Sequence, residues 1–177
     1  SLAGRIQRTA RGFRRQTGEL PGSAVRSLEA AAGQSRTAWT DALVAAFGAY
    51  LHRMTGSRDV VLGLPVMGRR GSALRVPGMV VNVLPLRLRI APGTTRGELV
   101  AQVAREIRQL RKHQHYRGED LRRQLRGGGT DRPLFGPMVN IKSFDYDLRF
   151  DQAPATVRNV AAGPVDDLTL TAYTTGA

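Results

Sequence analysis

The sequence predicts a mixed α/β layered domain around one core, and three observations predict it. Helical and strand-like apolar patterns follow one another in the order helix, strand, strand, helix, strand, strand. Of the 177 residues, 41% are hydrophobic, enough for one core and too little for two comfortable ones. No internal repeat or low-complexity tract breaks the pattern.

The elements follow in order. Residues 1–20 read as a basic, poorly patterned lead-in, and Leu20-Pro-Gly-Ser23 punctuates it before a short helix with apolar Val25 and Leu28, stopped near Gly33. From Thr37 to Thr55 the apolar residues Trp39, Leu43, Ala46, Phe47, Tyr50, Leu51 and Met54 recur at helical spacing. They predict a mostly buried helix ending on Gly56. Asp59 to Leu64 is a short apolar strand stopped by Pro65, and Met79 to Ile90 is a longer one that alternates toward its end. Pro85 cannot donate to a ladder, which predicts a sheet edge, a bulge or a change of partner there.

Pro92-Gly93 then turns the chain. Thr95-Arg-Gly-Glu98 has the form of a capping box, and Leu99, Val103, Ile107 and Leu110 form one stripe, so a helix is predicted from about Arg96 to about His113. A short helix over Glu119–Leu125, a flexible surface loop from Gly127 to Pro133, and strands over Pro137–Phe144 and Asp166–Thr174 complete the pattern.

Composition excludes several chemistries. With no cysteine, disulfide frameworks and Cys-ligated zinc or iron–sulfur sites are impossible, and a cytoplasmic setting is expected. No run approaches the roughly 18 apolar residues of a membrane span, and Ser1–Gly18 lacks the apolar stretch of a signal peptide. A net charge of +13 raises nucleic acid as a partner. Beyond Ser1–Arg15, however, the arginines are scattered, Lys112 and Lys142 are the only lysines, and no basic segment interleaves aromatics for base stacking. The bias fits arginine-rich codon usage, and nucleic-acid binding is not expected.

Generic catalytic patterns are missing. His113-Gln-His115 is the only close histidine pair, and its place at a predicted helix C-terminus suits dipole and carbonyl contacts better than a metal. His52 reads as a structural histidine. No Gly-x-Ser-x-Gly elbow occurs, and the triple glycine at 127–129 lacks the Lys-Ser/Thr of a phosphate loop.

Three segments are unusual: Gly63-Leu-Pro-Val-Met-Gly-Arg69, Gly78-Met-Val-Val-Asn-Val-Leu-Pro85 and Phe135-Gly-Pro-Met-Val-Asn-Ile-Lys-Ser-Phe-Asp-Tyr146. The second and third place Asn82 and Asn140 inside apolar strands, where an unpaired buried amide costs about 1–3 kcal/mol. Each needs a partner, either neighbouring backbone or an amide-containing ligand in a channel.

These residues carry a resemblance. Asp59-Val-Val-Leu-Gly-Leu-Pro-Val-Met-Gly-Arg69, Gly78-Met-Val-Val-Asn-Val-Leu-Pro-Leu-Arg87, His113-Gln114 and Asp131-Arg-Pro-Leu-Phe135 resemble four successive blocks of the condensation domain of non-ribosomal peptide synthetases. There they read D-V-V-x-G-x-P-V-x-G-R, G-x-x-V-N-T-L-P-L-R, H-Q-D-V-P-F-E and R-N-P-L-F. Tyr50-Leu-His-Arg-Met-Thr-Gly56 resembles the helix end that precedes the first block, and the likeness covers roughly residues 20–150. The third block departs, lacking Asp-x-Pro-Phe, and Met138 to Tyr146 is similar to a subset found in siderophore-type synthetases. The family's His-His-x-x-x-Asp-Gly motif, which lies upstream in its N-terminal subdomain, is absent from these residues.

The resemblance implies a chloramphenicol acetyltransferase-like mixed sheet flanked by helices, one half of a two-lobed condensation domain. Residues 1–20 would be a lead-in or interlobe connection, and 21–177 a C-terminal subdomain cut short at its end. It implies amide formation between thioesters on phosphopantetheine arms, with peptidyl carrier proteins, the N-terminal subdomain and an adenylation domain as partners. No cofactor would bind the chain directly, no catalytic residue would lie in it, and alone it would be inactive. Met67, Arg69, Val80, Asn82, Asn140 and Lys142 are the implied tunnel residues. Epimerisation, heterocyclisation and non-catalytic relatives share these blocks. A basic module for nucleic acid or an acidic protein is the alternative outside the family.

Overall fold

The structure, a computed structural model, describes residues 14–68, 75, 81–125, 133–142, 149–155, 165 and 167–173. Residues 14–21 have no regular structure and are exposed, and α1 (Gly22–Gln34) follows, running one residue past Gly33. Helix α2 (Trp39–Thr55) begins two residues later than predicted, because the Asp41 carboxylate accepts the Ala38 N–H at 3.2 Å and fixes Ala38 as its cap. Gly56 ends it at φ 69°, as the sequence predicts, donating its N–H to the His52 carbonyl at 2.8 Å.

The buried face of α2 differs from the predicted stripe. Ala42, Leu43, Val44, Ala45, Phe47, Gly48 and Leu51 are buried, whereas Ala46, Tyr50 and Met54 are exposed. Two apolar stripes compete on this helix, and close packing selects the one with small residues. A Cβ on Gly48 would lie 2.8 Å from the Leu88 side chain, so any larger residue there would have to displace the buried Leu88 for the helix to approach the sheet this closely.

Strands β1 (Asp59–Met67) and β2 (Val81–Arg89) pair antiparallel from Asp59↔Arg89 to Met67↔Val81. Strand β1 therefore passes through Pro65 instead of stopping there. The Gly63 N–H donates to Pro137 at 2.8 Å, so the odd-numbered residues of β1 turn their backbone groups away from β2. Pro65 shares that parity and lies past the β3 pairing, so its missing N–H breaks no ladder bond. Pro85 lies opposite Gly63 on β2, an edge strand, as the sequence predicts.

Helix α3 (Arg96–Lys112) starts with the predicted capping box: Thr95 N–H donates to Glu98 at 2.8 Å, and Glu98 N–H donates to Thr95 Oγ1 at 3.3 Å. Helix α4 (Gly118–Leu125) and strand β3 (Met138–Lys142) follow. A small hairpin, β4 (Arg149–Phe150) with β5 (Ala153–Pro154), escaped the sequence reading. Its two-residue turn puts Asp151 at φ 54°, a conformation Asp tolerates. Strand β6 (Thr169–Tyr173) closes the order. The glycine-rich loop predicted over 127–133 falls almost wholly outside the described residues.

The main sheet runs β2-β1-β3-β6, antiparallel at β1/β2 and parallel at β1/β3 and β3/β6. Helices α1, α2 and α3 pack on one another, with α2 and α3 against the sheet. Beneath them Val60, Leu62, Leu86, Leu88 and Val139 form the core with Val44, Leu51, Leu99 and Val103. The fold is thus the predicted mixed sheet flanked by helices.

Candidate functional site

Strand alternation divides the sheet into two faces. Val60, Leu62, Leu84, Leu86, Leu88 and Val139 point toward the helices and are buried. The opposite parity carries Met67, Val81, Val83, Met138, Asn140, Lys142, Thr171 and Tyr173, which are half-buried or exposed. No helix covers this face among the described residues. Met67 and Val81, each 64% exposed, form its rim at one end of the hairpin. Phe135 lies on it where β1 narrows: a Cβ on Gly63 would come within 2.4 Å of the Phe135 ring. Gly63 thus seats an aromatic ring from the block before β3.

The predicted residues separate between these faces. Asn82 shares parity with Leu84 and faces the helices, where its amide is fully engaged. Nδ2 donates to the carbonyls of Gln114 at 3.0 Å and Tyr116 at 2.7 Å, and Oδ1 accepts the Gly118 N–H at 3.0 Å. These bonds clamp the connection between α3 and α4 onto β2. The clamp is tight, because a Cβ on Gly118 would lie 2.4 Å from the Val83 carbonyl oxygen.

Asn140 has the opposite environment. Half-buried on the open face, it makes no side-chain hydrogen bond among the described residues. In the parallel β3/β6 register it lies beside Thr171, and Lys142 lies beside Tyr173. The Lys142 Nζ sits 5.2 Å from the Tyr173 ring centroid, a cation–π contact. Met67, Asn140 and Lys142 thus share the open face, while Arg69 and Val80 lie outside the described residues.

Gly63 and Phe135 each lie in a segment that the sequence singles out, whereas Thr171 and Tyr173, on the same face, were not singled out. The signal for Thr171 and Tyr173 was present, since Thr169, Thr171 and Tyr173 alternate with Leu168, Leu170 and Ala172 in a period of two.

At the end of this face, Arg87 holds Asp59 across the hairpin through Nε at 2.8 Å and 3.1 Å, and a second bond runs from Nη2. That hydrogen bonding, opposed by slight desolvation and helped by the charges of Arg87 and Arg89, holds the Asp59 carboxyl below its ordinary range. Bonding from the Thr95 backbone and hydroxyl does the same for Glu98.

A concavity of about 400 Å³ lies along the outer edge of β2, between α3 and α4. Leu84, Leu86, Leu110 and Leu121 give it an apolar lining, with Tyr116 and His113 at the α3–α4 connection. Arg105, Arg108, Arg111, Lys112, Arg117, Arg122 and Arg123 occur along these helices and their connection. Among the described residues no group of three or more His, Cys, Asp or Glu is placed to hold a metal, and no helix is long and apolar enough to cross a membrane.

A family model described as "Condensation domain" matches residues 1–175. The chain is 49% identical over 174 residues to the dimodular nonribosomal peptide synthase of Bacillus subtilis (strain 168), covering 98% of this chain and 7% of that protein. It is 39% identical over 135 residues to enterobactin synthase component F of Escherichia coli (strain K12), covering 76% of this chain and 10% of that protein. The fold superposes on the first condensation domain of the CDA synthetase with a TM-score of 0.83 at 37% identity, covering 97% of this chain and 38% of that one. The chain therefore spans a small part of these curated relatives and well under half of the solved domain.

Proposed function

This chain belongs to the condensation-domain family, and on that premise we propose that it forms one wall of an amide-forming channel in a non-ribosomal peptide synthetase. The observation that carries the reading is the family match over 1–175, joined to a sheet with one packed face and one left open. In this reading the chain is the C-terminal subdomain, and the open face looks across the channel toward an N-terminal subdomain.

The reaction joins two tethered substrates. The amine of the acceptor attacks the donor thioester carbonyl, the C–N bond forms, the C–S bond breaks, and the carrier's phosphopantetheine thiol leaves. Holding both reactants on arms replaces a bimolecular encounter with a positioned one. A histidine of the upstream His-His-x-x-x-Asp-Gly motif would manage the amine proton, so this chain alone is expected to be inactive. Its own residues orient. Met67 shapes the rim, Asn140 and Lys142 offer hydrogen-bond partners along the wall, and Asn82 braces β2 from behind. Arg69 and Val80 remain in the tunnel set by resemblance. The open face suits a pantetheine arm, since an apolar strip with an unpartnered amide fits an alkyl chain interrupted by amides.

Carrier proteins and a neighbouring adenylation domain are the partners in this reading. The apolar groove beside β2, among so many arginines, suits an acidic helical carrier protein. The likeness of Met138 to Tyr146 to a subset found in siderophore-type synthetases favours a product of that class, and one relative is an enterobactin synthase component.

The test uses the natural parent polypeptide, loaded with aminoacyl groups on both carriers and assayed for dipeptidyl thioester. Amide formation by the parent, lost on replacing the second histidine of its His-His-x-x-x-Asp-Gly motif, is the expected result. A parent that forms no amide bond with any loaded pair, while its carriers load normally, overturns the reading.

A further inference from the structure

The open face carries two polar patches, and at one of them, the Arg87–Asp59 pair, the charges satisfy each other. At the other, the β3/β6 end, Asn140, Lys142, Thr171 and Tyr173 stand in two adjacent rows, Asn140 beside Thr171 and Lys142 beside Tyr173. Rows on one face of a strand repeat every two residues, about 6.6 Å, with neighbouring strands about 4.8 Å apart. The patch is therefore the size of one substrate side group. Two of its members are incompletely satisfied. Lys142 is half-buried with its Nζ 5.2 Å from the Tyr173 ring centroid, and no carboxylate is paired to it among the described residues. The Asn140 amide is half-buried and makes no hydrogen bond among them.

Half-buried polar groups like these become costly when a second surface closes over them, because water is then removed without replacement. A purely structural role predicts the Asn82 pattern instead, in which every polar end of the amide meets backbone. We infer that Asn140, Lys142, Thr171 and Tyr173 form a specificity subsite that receives a hydroxyl or carboxylate oxygen on the side group of a carrier-bound substrate. The inference rests on the channel reading above and names which substrates that channel selects. Lys142 and the Asn140 NH₂ donate to the oxygen, while Thr171 and the Asn140 carbonyl accept from a hydroxyl. The ring of Tyr173 holds the Lys142 stem and head in place. A site built this way discriminates against an analogue lacking the oxygen, since its donors are then left unpaired.

The experiment is a competition in the intact parent synthetase. Seryl is set against alanyl, and aspartyl against leucyl, each pair presented in turn at the donor and the acceptor carrier, with the product ratio read by mass spectrometry. The wild-type protein is expected to favour the oxygen-bearing member of at least one pair by about tenfold. Lys142→Met and Asn140→Leu are each expected to bring that ratio toward unity, and Lys142→Arg to keep most of it. The hydroxyl and carboxylate pairs separate the two sources of the oxygen. Ratios near unity in every wild-type competition, or a wild-type preference that survives both substitutions, overturn the subsite while leaving the channel reading intact. Absence of any amide product from any pair overturns both.

Discussion

Asn82 and Asn140 look alike in the sequence, each a lone amide inside an apolar strand, yet they serve opposite faces of one sheet. Asn82 meets three backbone partners and fastens the α3–α4 connection to β2. Asn140 meets none among the described residues and stands on the face that no helix covers. The difference teaches that a polar residue in a strand acquires its role from the face to which its parity assigns it. On the packed face the amide is structural glue, and on the open face it is left without a partner among the described residues.

The comparison can be broken most forcefully at the clamp. Gly118→Ala places a methyl against the Val83 carbonyl oxygen, which is backbone and cannot step aside. A loss of about 3 kcal/mol is expected by denaturant unfolding of the complete condensation domain. A loss under about 0.5 kcal/mol would mean the α3–α4 connection is not held as tightly as the geometry requires. Asn82→Ala strands one N–H and two carbonyls, and is expected to cost about 2 kcal/mol. Asn140→Ala is expected to stay within about 0.5 kcal/mol in the same measurement. Equal losses at the two asparagines would erase the distinction between the faces.

The smallest effect concerns acid. The Asp59 and Glu98 carboxyls are held below their ordinary values, the first by Arg87 and the second by Thr95. A depressed folded-state value gives stability that is complete above the ordinary carboxylate value and is lost as pH falls through the depressed one. Both groups are exposed, so the contribution is screened. Replacing Glu98 with Gln is expected to flatten the acid limb of stability against pH slightly, without lowering the neutral plateau by more than the loss of one cap. An acid limb that steepens would contradict the sign.

How much was legible follows the same physics. Helix α3 was readable to within a residue, because Thr95 and Glu98 declare its start and one unbroken apolar stripe declares its face. The end of β1 was misread at Pro65, because whether a proline interrupts a strand depends on which neighbour its N–H would face, and that is a property of the sheet. The burial of α2 was half legible, since Gly48 and its small neighbours decide the packed face only once Leu88 is known to lie against them. Met67, Asn140 and Lys142 were placed in one candidate site by resemblance, and alternation puts them on one face. The same resemblance could not separate Asn82 from them, because motif residues for packing and for substrate contact are written alike. The β4–β5 hairpin offered only a two-residue strand on each side, too short for any periodicity to register.

The most direct measurement compares two exposed methionines on opposite sides of the protein. Met67 is 64% exposed at the rim of the open face, and Met54 is 62% exposed on the outer surface of α2. Each is replaced by Trp in the intact parent synthetase, and the rate of dipeptidyl thioester formation is followed. Met67→Trp is expected to slow amide formation by tenfold or more, on the order of 1.4 kcal/mol in the barrier, while Met54→Trp leaves it within about twofold. Equal rates for the two variants, with both proteins folded, would contradict the assignment of the open face to the channel.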